Sequence, residues 1–119
     1  MACLWEYYVA YQLLFPEKTA FVPLPINLHK IVSRIRTVPE ILNFFIGIQN
    51  FKDTVKGTDV MLPVLQEVQR KHPDLCRITE VHDVPYARYQ QLMDDADVQL
   101  DQLYSYTPSM NSLLAMAKE

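Results

Sequence analysis

Residues 41–48, I-L-N-F-F-I-G-I, constrain the fold more than any other part of this chain. The run is almost continuously apolar, which is typical of a strand that is buried on both faces of a parallel sheet. Gly47, near its end, allows a ligand or another backbone to approach closely. The run therefore predicts an α/β domain built around this strand.

The pattern after this strand alternates between amphipathic helices and short strands. Because sequential strand–helix units connect through right-handed crossovers, this order predicts a parallel sheet. Thr107 is a suitable N-cap for the last helix, and Pro108 suits its first position. The predicted elements are a helix over Thr58–Lys71 with Val60, Met61, Val64, Leu65 and Val68 on its buried face, a strand over Cys76–Val81, a helix from Pro85, a strand over Val98–Leu100 and a helix from Pro108.

The N-terminal part of the chain is less regular. Helical spacing of apolar residues in Met1–Phe15 predicts an amphipathic helix that packs on the domain. The apolar run Ala20–Leu24 predicts a brief strand, and residues 26–36 predict a short helix. The 119 residues fit one domain, with the helix in residues 1–19 and the α/β part in residues 20–119. The expected architecture is a three-layer, Rossmann-like parallel sheet of about four strands with helices on both faces.

Composition excludes several classes of function. The net charge is −3, and no basic stripe marks a nucleic-acid surface; the cluster of Lys30, Arg34 and Arg36 is interpreted as a solvated face. With 2 Gly in the chain, a glycine-rich phosphate loop is excluded. Cys3 and Cys76 match no metal or redox spacing, which favours reduced thiols and a cytoplasmic location. The apolar segments are too short to cross a membrane, and residues 1–15 lack the basic start that is typical of a signal peptide.

Ligands of open α/β sheets bind outside the carboxyl ends of the strands. Ser109, Met110 and Asn111 form the first turn of the last predicted helix, whose N–H groups suit an anion; the alternative is an ordinary solvated helix start. His82 follows a predicted strand and reaches the same edge, where it either hydrogen-bonds a ligand or serves as a loop histidine. No set of His, Cys, Asp or Glu has metal spacing.

A family resemblance covers roughly residues 20–117. The segment A-D-V-Q-L-D-Q-L-Y-S-Y-T-P-S-M-N-S-L-L-A-M-A resembles the group 1 glycosyltransferases of GT-B fold, in which an A-D-V strand leads to a helix ending in E-A-M-A. F-F-I-G-I resembles the strand F-V-G-R of their C-terminal domain, and Lys56-Gly57 matches their K-G. The chain departs from the family at three positions: Ile48 stands at the Arg after F-V-G, and Tyr106 and Leu114 stand at the two motif glutamates.

The resemblance implies the donor-binding domain of a glycosyltransferase that transfers a hexose from a nucleotide diphosphate sugar to a glycan or lipid. It implies no cofactor besides this donor. The acceptor side would come from a separate N-terminal domain, so the chain is expected to be part of a longer enzyme and inactive alone. The implied donor-binding residues are Gly47, Lys56, His82, Tyr106, Ser109, Met110 and Asn111.

Two other functions compete with this one. The first is a non-catalytic α/β interaction module that completes its sheet with a partner chain, as in a homo-oligomer. A receiver-like signalling domain has the right layers, but it needs acidic residues at the end of its first strand. Gly47, Ile48 and Gln49 stand there instead, which argues against a receiver.

Overall fold

Strand β1, Leu42–Ile48, lies at the centre of a parallel sheet in the computed structural model, which describes residues 1–33 and 37–118. The sheet has three strands in the order β2-β1-β3, with β2 at Cys76–His82 and β3 at Val98–Leu100. Ile48 pairs with His82 at one end of the sheet, and Phe44 pairs with Val98. The predicted α/β class and parallel sheet are therefore confirmed.

Helices flank this sheet. They are α1 at Trp5–Leu14, α2 at Asp53–Lys56, α3 at Thr58–Lys71, α4 at Tyr86–Asp94 and α5 at Met110–Lys118, with short 3-10 turns at Pro16–Lys18 and Leu28–Lys30. The bounds of α3 are those predicted, and Pro63 is accommodated inside it. Gly57 separates α2 from α3 with a φ of 75°, a left-handed conformation that glycine adopts without steric cost.

The core lies on both faces of β1. Phe45 and Ile46 are adjacent, so their side chains point to opposite faces, and both are 0% exposed. Phe45 packs with Val81 and Met93, and the partly buried residues around them come from α4, α5 and the segments next to them. Strand β1 is therefore buried on both faces, as its sequence predicts.

The buried face of α3 differs from the predicted one. Val60, Val64 and Val68 are exposed, whereas Thr58 and Leu65 are buried. The predicted face and the observed buried face overlap, because Leu65 belongs to both. Leu65 also lies four residues after Met61, on the same side of the helix. Helix α3 contacts β1 and β2, and Thr58 and Leu65 are its buried residues.

The predicted fourth strand does not join the sheet. Within residues 20–24 only Phe21 makes a β-bridge, and its parallel partner is Ala2. Pro23 and Pro25 lack the N–H groups that a longer ladder would need, which explains why pairing stops there. The helix predicted over residues 26–36 is limited to the turn at Leu28–Lys30 in the described part; residues 34–36, with two of the three predicted basic residues, lie outside it.

Helix α1 forms as predicted but does not pack into the core. None of its residues is buried, and Leu13 is 82% exposed. Its aromatic contacts are local: the Trp5 ring lies 5.2 Å from that of Tyr8 and 5.5 Å from that of Phe21. The expectation that α1 packs on the domain through an apolar face is therefore wrong.

The molecule exposes more surface than a compact chain of its mass. Its accessible surface is 8810 Å², whereas the usual scaling gives roughly 6,700 Å² for a compact monomer of this size. The radius of gyration is 16.7 Å, against about 13.5 Å expected for a compact domain. Many large apolar side chains within residues 1–22 are exposed, among them Leu13 and Leu14. Among the described helices, none is both long and apolar enough to cross a membrane.

Candidate functional site

The carboxyl ends of the three strands meet at one edge of the sheet, as the topology requires. There β1 ends at Ile48 beside the end of β2 at His82, and Asp101 follows directly on β3. Gly47 and His82, which the sequence assigns to the site, therefore lie at the same edge. The start of α5 reaches this edge as well, because Asp101 is hydrogen-bonded to it.

Tyr89 connects Gly47 to the first turn of α5. Its hydroxyl oxygen accepts a hydrogen bond of 3.2 Å from the Asn111 side-chain amide. A methyl group placed on Gly47 would lie 2.6 Å from the same oxygen. The close approach predicted at Gly47 is thus made by the phenol of Tyr89, which lies in the helix predicted from Pro85.

The phenol of Tyr89 stays protonated over the physiological range. Burial raises its pKa from 10.0 to about 12, and the negative charges of Asp101 and of ionised Tyr86 add to the effect. The ring packs edge-on against Phe45, with 5.0 Å between the ring centres. A neutral, fixed hydroxyl group is therefore available for hydrogen bonding at this edge.

The first turn of α5 already holds a carboxylate. Asp101 accepts a hydrogen bond of 3.2 Å from the Ser109 N–H and one of 2.6 Å from the Ser112 hydroxyl. The Ser109 hydroxyl in turn accepts from the Asn111 N–H at 3.2 Å. The predicted cap, Thr107, is therefore wrong: Ser109 has this role, and the helix begins at Met110.

Two other residues predicted to bind the sugar donor, His82 and Lys56, lie near this edge on different elements. The His82 ring Nε2 lies 2.6 Å from Glu80 Oε1, and the imidazole remains partly exposed. Lys56 ends α2, and its carbonyl oxygen accepts a hydrogen bond of 2.7 Å from Leu103 N–H. This bond fixes α2 to the loop after β3. In the part of the chain that the structure describes, the Lys56 ammonium group forms no ion pair.

The remaining predicted residues, Tyr106 and Met110, are exposed to solvent. Tyr106 is 97% exposed, so its phenol contacts little of the protein. Met110 is also exposed at the start of α5. The structure therefore brings Gly47, Asn111 and Ser109 together with Tyr89 and Asp101, and leaves the side chain of Tyr106 in solvent.

A second hydrogen-bonded cluster lies in the loop between β3 and α5. The carboxylate of Glu6 accepts from the Ser105 hydroxyl at 2.7 Å, from Tyr106 N–H at 2.8 Å and from Thr107 N–H at 2.9 Å. The Thr107 hydroxyl donates to the other carboxylate oxygen. The backbone N–H of Trp5 donates a hydrogen bond of 3.2 Å to the Thr107 hydroxyl oxygen. Since these partners are about a hundred residues apart, no local pattern predicts the cluster.

These contacts lead to a pH-dependent prediction for α1. The Thr107 hydroxyl, the Glu6 N–H and the Ser105 hydroxyl lower the pKa of Glu6 from 4.5 to about 2. The folded-state pKa of Glu6 is lower than its unfolded value. The stabilisation of the attached helix by Glu6 is therefore complete above about pH 5 and is lost as the pH falls from 4.5 towards 2. Fluorescence of Trp5, the single tryptophan, should report this loss. The same titration of Glu6→Ala should lack the transition; an identical curve would contradict the prediction.

A cavity of about 520 Å³ lies at the opposite edge of the sheet. It is lined where β3 begins, by Asp97 and Gln99, and by the ends of α4 and α5 at Met93 and Lys118. No local sequence pattern predicts it, because its walls come from three separate stretches of the chain, within residues 27–32, 90–99 and 114–118. Among the described residues, no group of three or more His, Cys, Asp or Glu side chains is placed to hold a metal ion.

Comparison of the chain with family models, with curated proteins and with solved structures finds no match. What the structure establishes is therefore the fold class, an α/β domain with a Rossmann-like, three-stranded parallel sheet, together with the geometry of its carboxyl edge.

Proposed function

We propose that this chain is a donor-binding domain of glycosyltransferase type, which binds a nucleotide diphosphate sugar at the carboxyl edge of its sheet. The observation that carries the proposal is the convergence of Gly47, Tyr89 and Asn111 at that edge. Residues from β1, α4 and α5 are in contact there. This is the position at which open α/β sheets bind ligands.

The edge offers the chemistry that such a donor needs. The ammonium group of Lys56 suits the diphosphate, because it is a mobile cation close to the loop after β3. The amide of Asn111 and the phenol of Tyr89 supply hydrogen bonds in fixed positions. Asp101 offers carboxylate oxygens that accept hydrogen bonds from sugar hydroxyls.

Transfer by this chain alone is not part of the proposal. In the resembling glycosyltransferases the donor-sugar motif has two glutamates, and Tyr106 and Leu114 stand at those positions here. Leu114 packs against the cluster of Phe45, Val81 and Met93, so this position serves the core. The proposal therefore assigns donor binding to the chain and acceptor binding to another domain. Because both cysteines are free thiols, it includes a cytoplasmic location.

Uridine and guanosine diphosphates should shift the amide resonances of Lys56, His82 and Asn111 in a nuclear magnetic resonance titration. Lys56→Met should weaken binding by about tenfold, which corresponds to the loss of one charge-assisted contact. Lys71→Met is the matched control, because Lys71 ends α3 near the amino ends of the strands, away from the carboxyl edge, and pairs with Glu67 at 3.2 Å. Equal affinities for the two variants, or shifts confined to other residues, would contradict the proposal.

The large exposed surface favours a second candidate, an interaction module that self-associates. The surface beyond that of a compact monomer is about 2,000 Å², which is as much as a specific interface commonly buries. Among the described strands, β2 and β3 each leave one edge unpaired. Analytical ultracentrifugation should then show a dimer at micromolar concentration. A monomer at all concentrations up to about 0.1 mM would contradict this candidate.

A further inference from the structure

Helix α1 is held to the loop between β3 and α5 mainly by the carboxylate of Glu6, together with one hydrogen bond from the backbone N–H of Trp5. Glu6 receives its hydrogen bonds from Ser105, Tyr106 and Thr107, which we name the Ser105–Thr107 cradle. None of the residues of α1 is buried. The helix can therefore leave the surface without opening the core at Phe45.

The cradle has the composition of an anion site. Its donors are two successive backbone N–H groups and two hydroxyl groups, and all of them point at the oxygens of a single carboxylate. Successive N–H groups aimed at one point form a concave site of positive partial charge. A carboxylate is an acceptor-only group, and the same holds for the oxygens of a fully ionised phosphate group. The Glu6 side chain thus occupies the place of a small anion.

The cradle also lies beside the proposed donor site. It is part of the loop that leaves β3 at Leu100 and enters α5 at Met110. The Thr107 carbonyl oxygen accepts a hydrogen bond of 2.8 Å from the Gln102 side chain, which holds the cradle against the start of this loop. An anionic ligand at the carboxyl edge therefore meets a second set of donors within the same loop.

We propose that the Ser105–Thr107 cradle binds a phosphate group in competition with Glu6, so that α1 acts as an intramolecular strap which the ligand displaces. The choice of phosphate as the anion rests on the proposed function. The competition itself rests on the hydrogen bonds of Glu6. Binding of the ligand and release of α1 are then two sides of one exchange, since the donors can serve only one anion at a time.

The test compares pyrophosphate binding by the full chain, by Glu6→Ala and by the control Glu17→Ala. Glu17 is another exposed acid, in the 3-10 turn that follows α1. Glu6→Ala should bind pyrophosphate about tenfold more tightly than the unchanged chain if the cradle is free in about a tenth of the unchanged molecules. Glu17→Ala should bind like the unchanged chain. The amide resonances of Tyr106 and Thr107 should shift in all three proteins.

The fluorescence of Trp5 adds a readout of strap release. In the unchanged chain pyrophosphate should change the fluorescence towards that of ligand-free Glu6→Ala, and in the variant it should have little effect. Adding Thr107→Val to Glu6→Ala should cancel the gain in affinity, because it removes one donor of the cradle. A far-ultraviolet dichroism spectrum matching that of the unchanged chain, apart from α1, confirms that Glu6→Ala is folded.

Equal pyrophosphate affinities of the unchanged chain and Glu6→Ala would overturn the proposal, as would shifts that avoid Tyr106 and Thr107. These results are separate from a failure of donor binding. If uridine diphosphate shifts the amide resonances of Lys56 and Asn111 but Glu6→Ala does not change pyrophosphate affinity, the donor site is supported and the strap is contradicted. Tighter pyrophosphate binding in Glu6→Ala without nucleotide shifts would leave the cradle as a site for free phosphate.

Discussion

Phe45→Ala is expected to unfold most of the domain at room temperature. Phe45 is 0% exposed at the centre of β1 and packs with Val81, Met93 and the ring of Tyr89. Removing a buried phenyl ring costs about 3 to 5 kcal/mol, because it loses apolar burial and leaves a cavity. That loss is of the same order as the whole stability of a small domain. Urea titration followed by far-ultraviolet dichroism measures the effect.

Phe51→Ala is the matched control for this substitution. Phe51 carries the same side chain but is 97% exposed in the loop after β1, so its truncation should change stability by less than about 0.5 kcal/mol. A urea midpoint of Phe45→Ala equal to that of the control would show that β1 is not the centre of the core.

Gly47→Ala is expected to have the second-largest effect, since it forces Tyr89 out of its position. The added methyl group would lie 2.6 Å from the Tyr89 hydroxyl oxygen and 2.8 Å from a ring carbon. The ring cannot shift freely, because it is fixed between Phe45 and the amide of Asn111. Overpacking of this kind costs about 1 to 3 kcal/mol. The same urea titration and the side-chain amide resonance of Asn111 report the change.

A double-mutant cycle isolates this clash. Gly47→Ala should cost much less in a Tyr89→Leu background than in the unchanged chain, because the smaller side chain leaves room for the methyl group. Costs that add independently would mean that the methyl group is accommodated without moving Tyr89. In that case the contact between Gly47 and Tyr89 would not organise the carboxyl edge.

The sheet could be predicted from the sequence because its signals are local. The apolar run of β1 and the helical spacing of α3 are visible within each segment, and both elements form where they were predicted. The apolar run Ala20–Leu24 predicts a strand, whereas Pro23 and Pro25, also visible in the sequence, limit its pairing to Phe21. The packing of α1 could not be predicted, because it depends on contacts between Glu6 and a loop about a hundred residues away.

Part of the candidate site followed from one topological rule. Gly47 and His82 were assigned to the carboxyl edge because each ends a strand, and the structure places them there. The roles of Tyr89 and Asp101 were missed. Asp101 directly follows β3 and therefore carried a usable signal, but the hydrogen bonds that it accepts from α5 depend on the path of the loop between them.

The central position of β1 has a consequence for synthesis on the ribosome. β1 leaves the ribosome before either of its neighbours, yet Leu42 must wait for Cys76 and Phe44 must wait for Val98 to form their pairs. Until then β1 has no neighbouring strands to pair with. Pairings between segments so distant in sequence also form slowly. The nascent chain therefore carries an exposed aggregation-prone segment from the emergence of β1 until that of β3, and a chaperone bound to that segment would protect it during this interval.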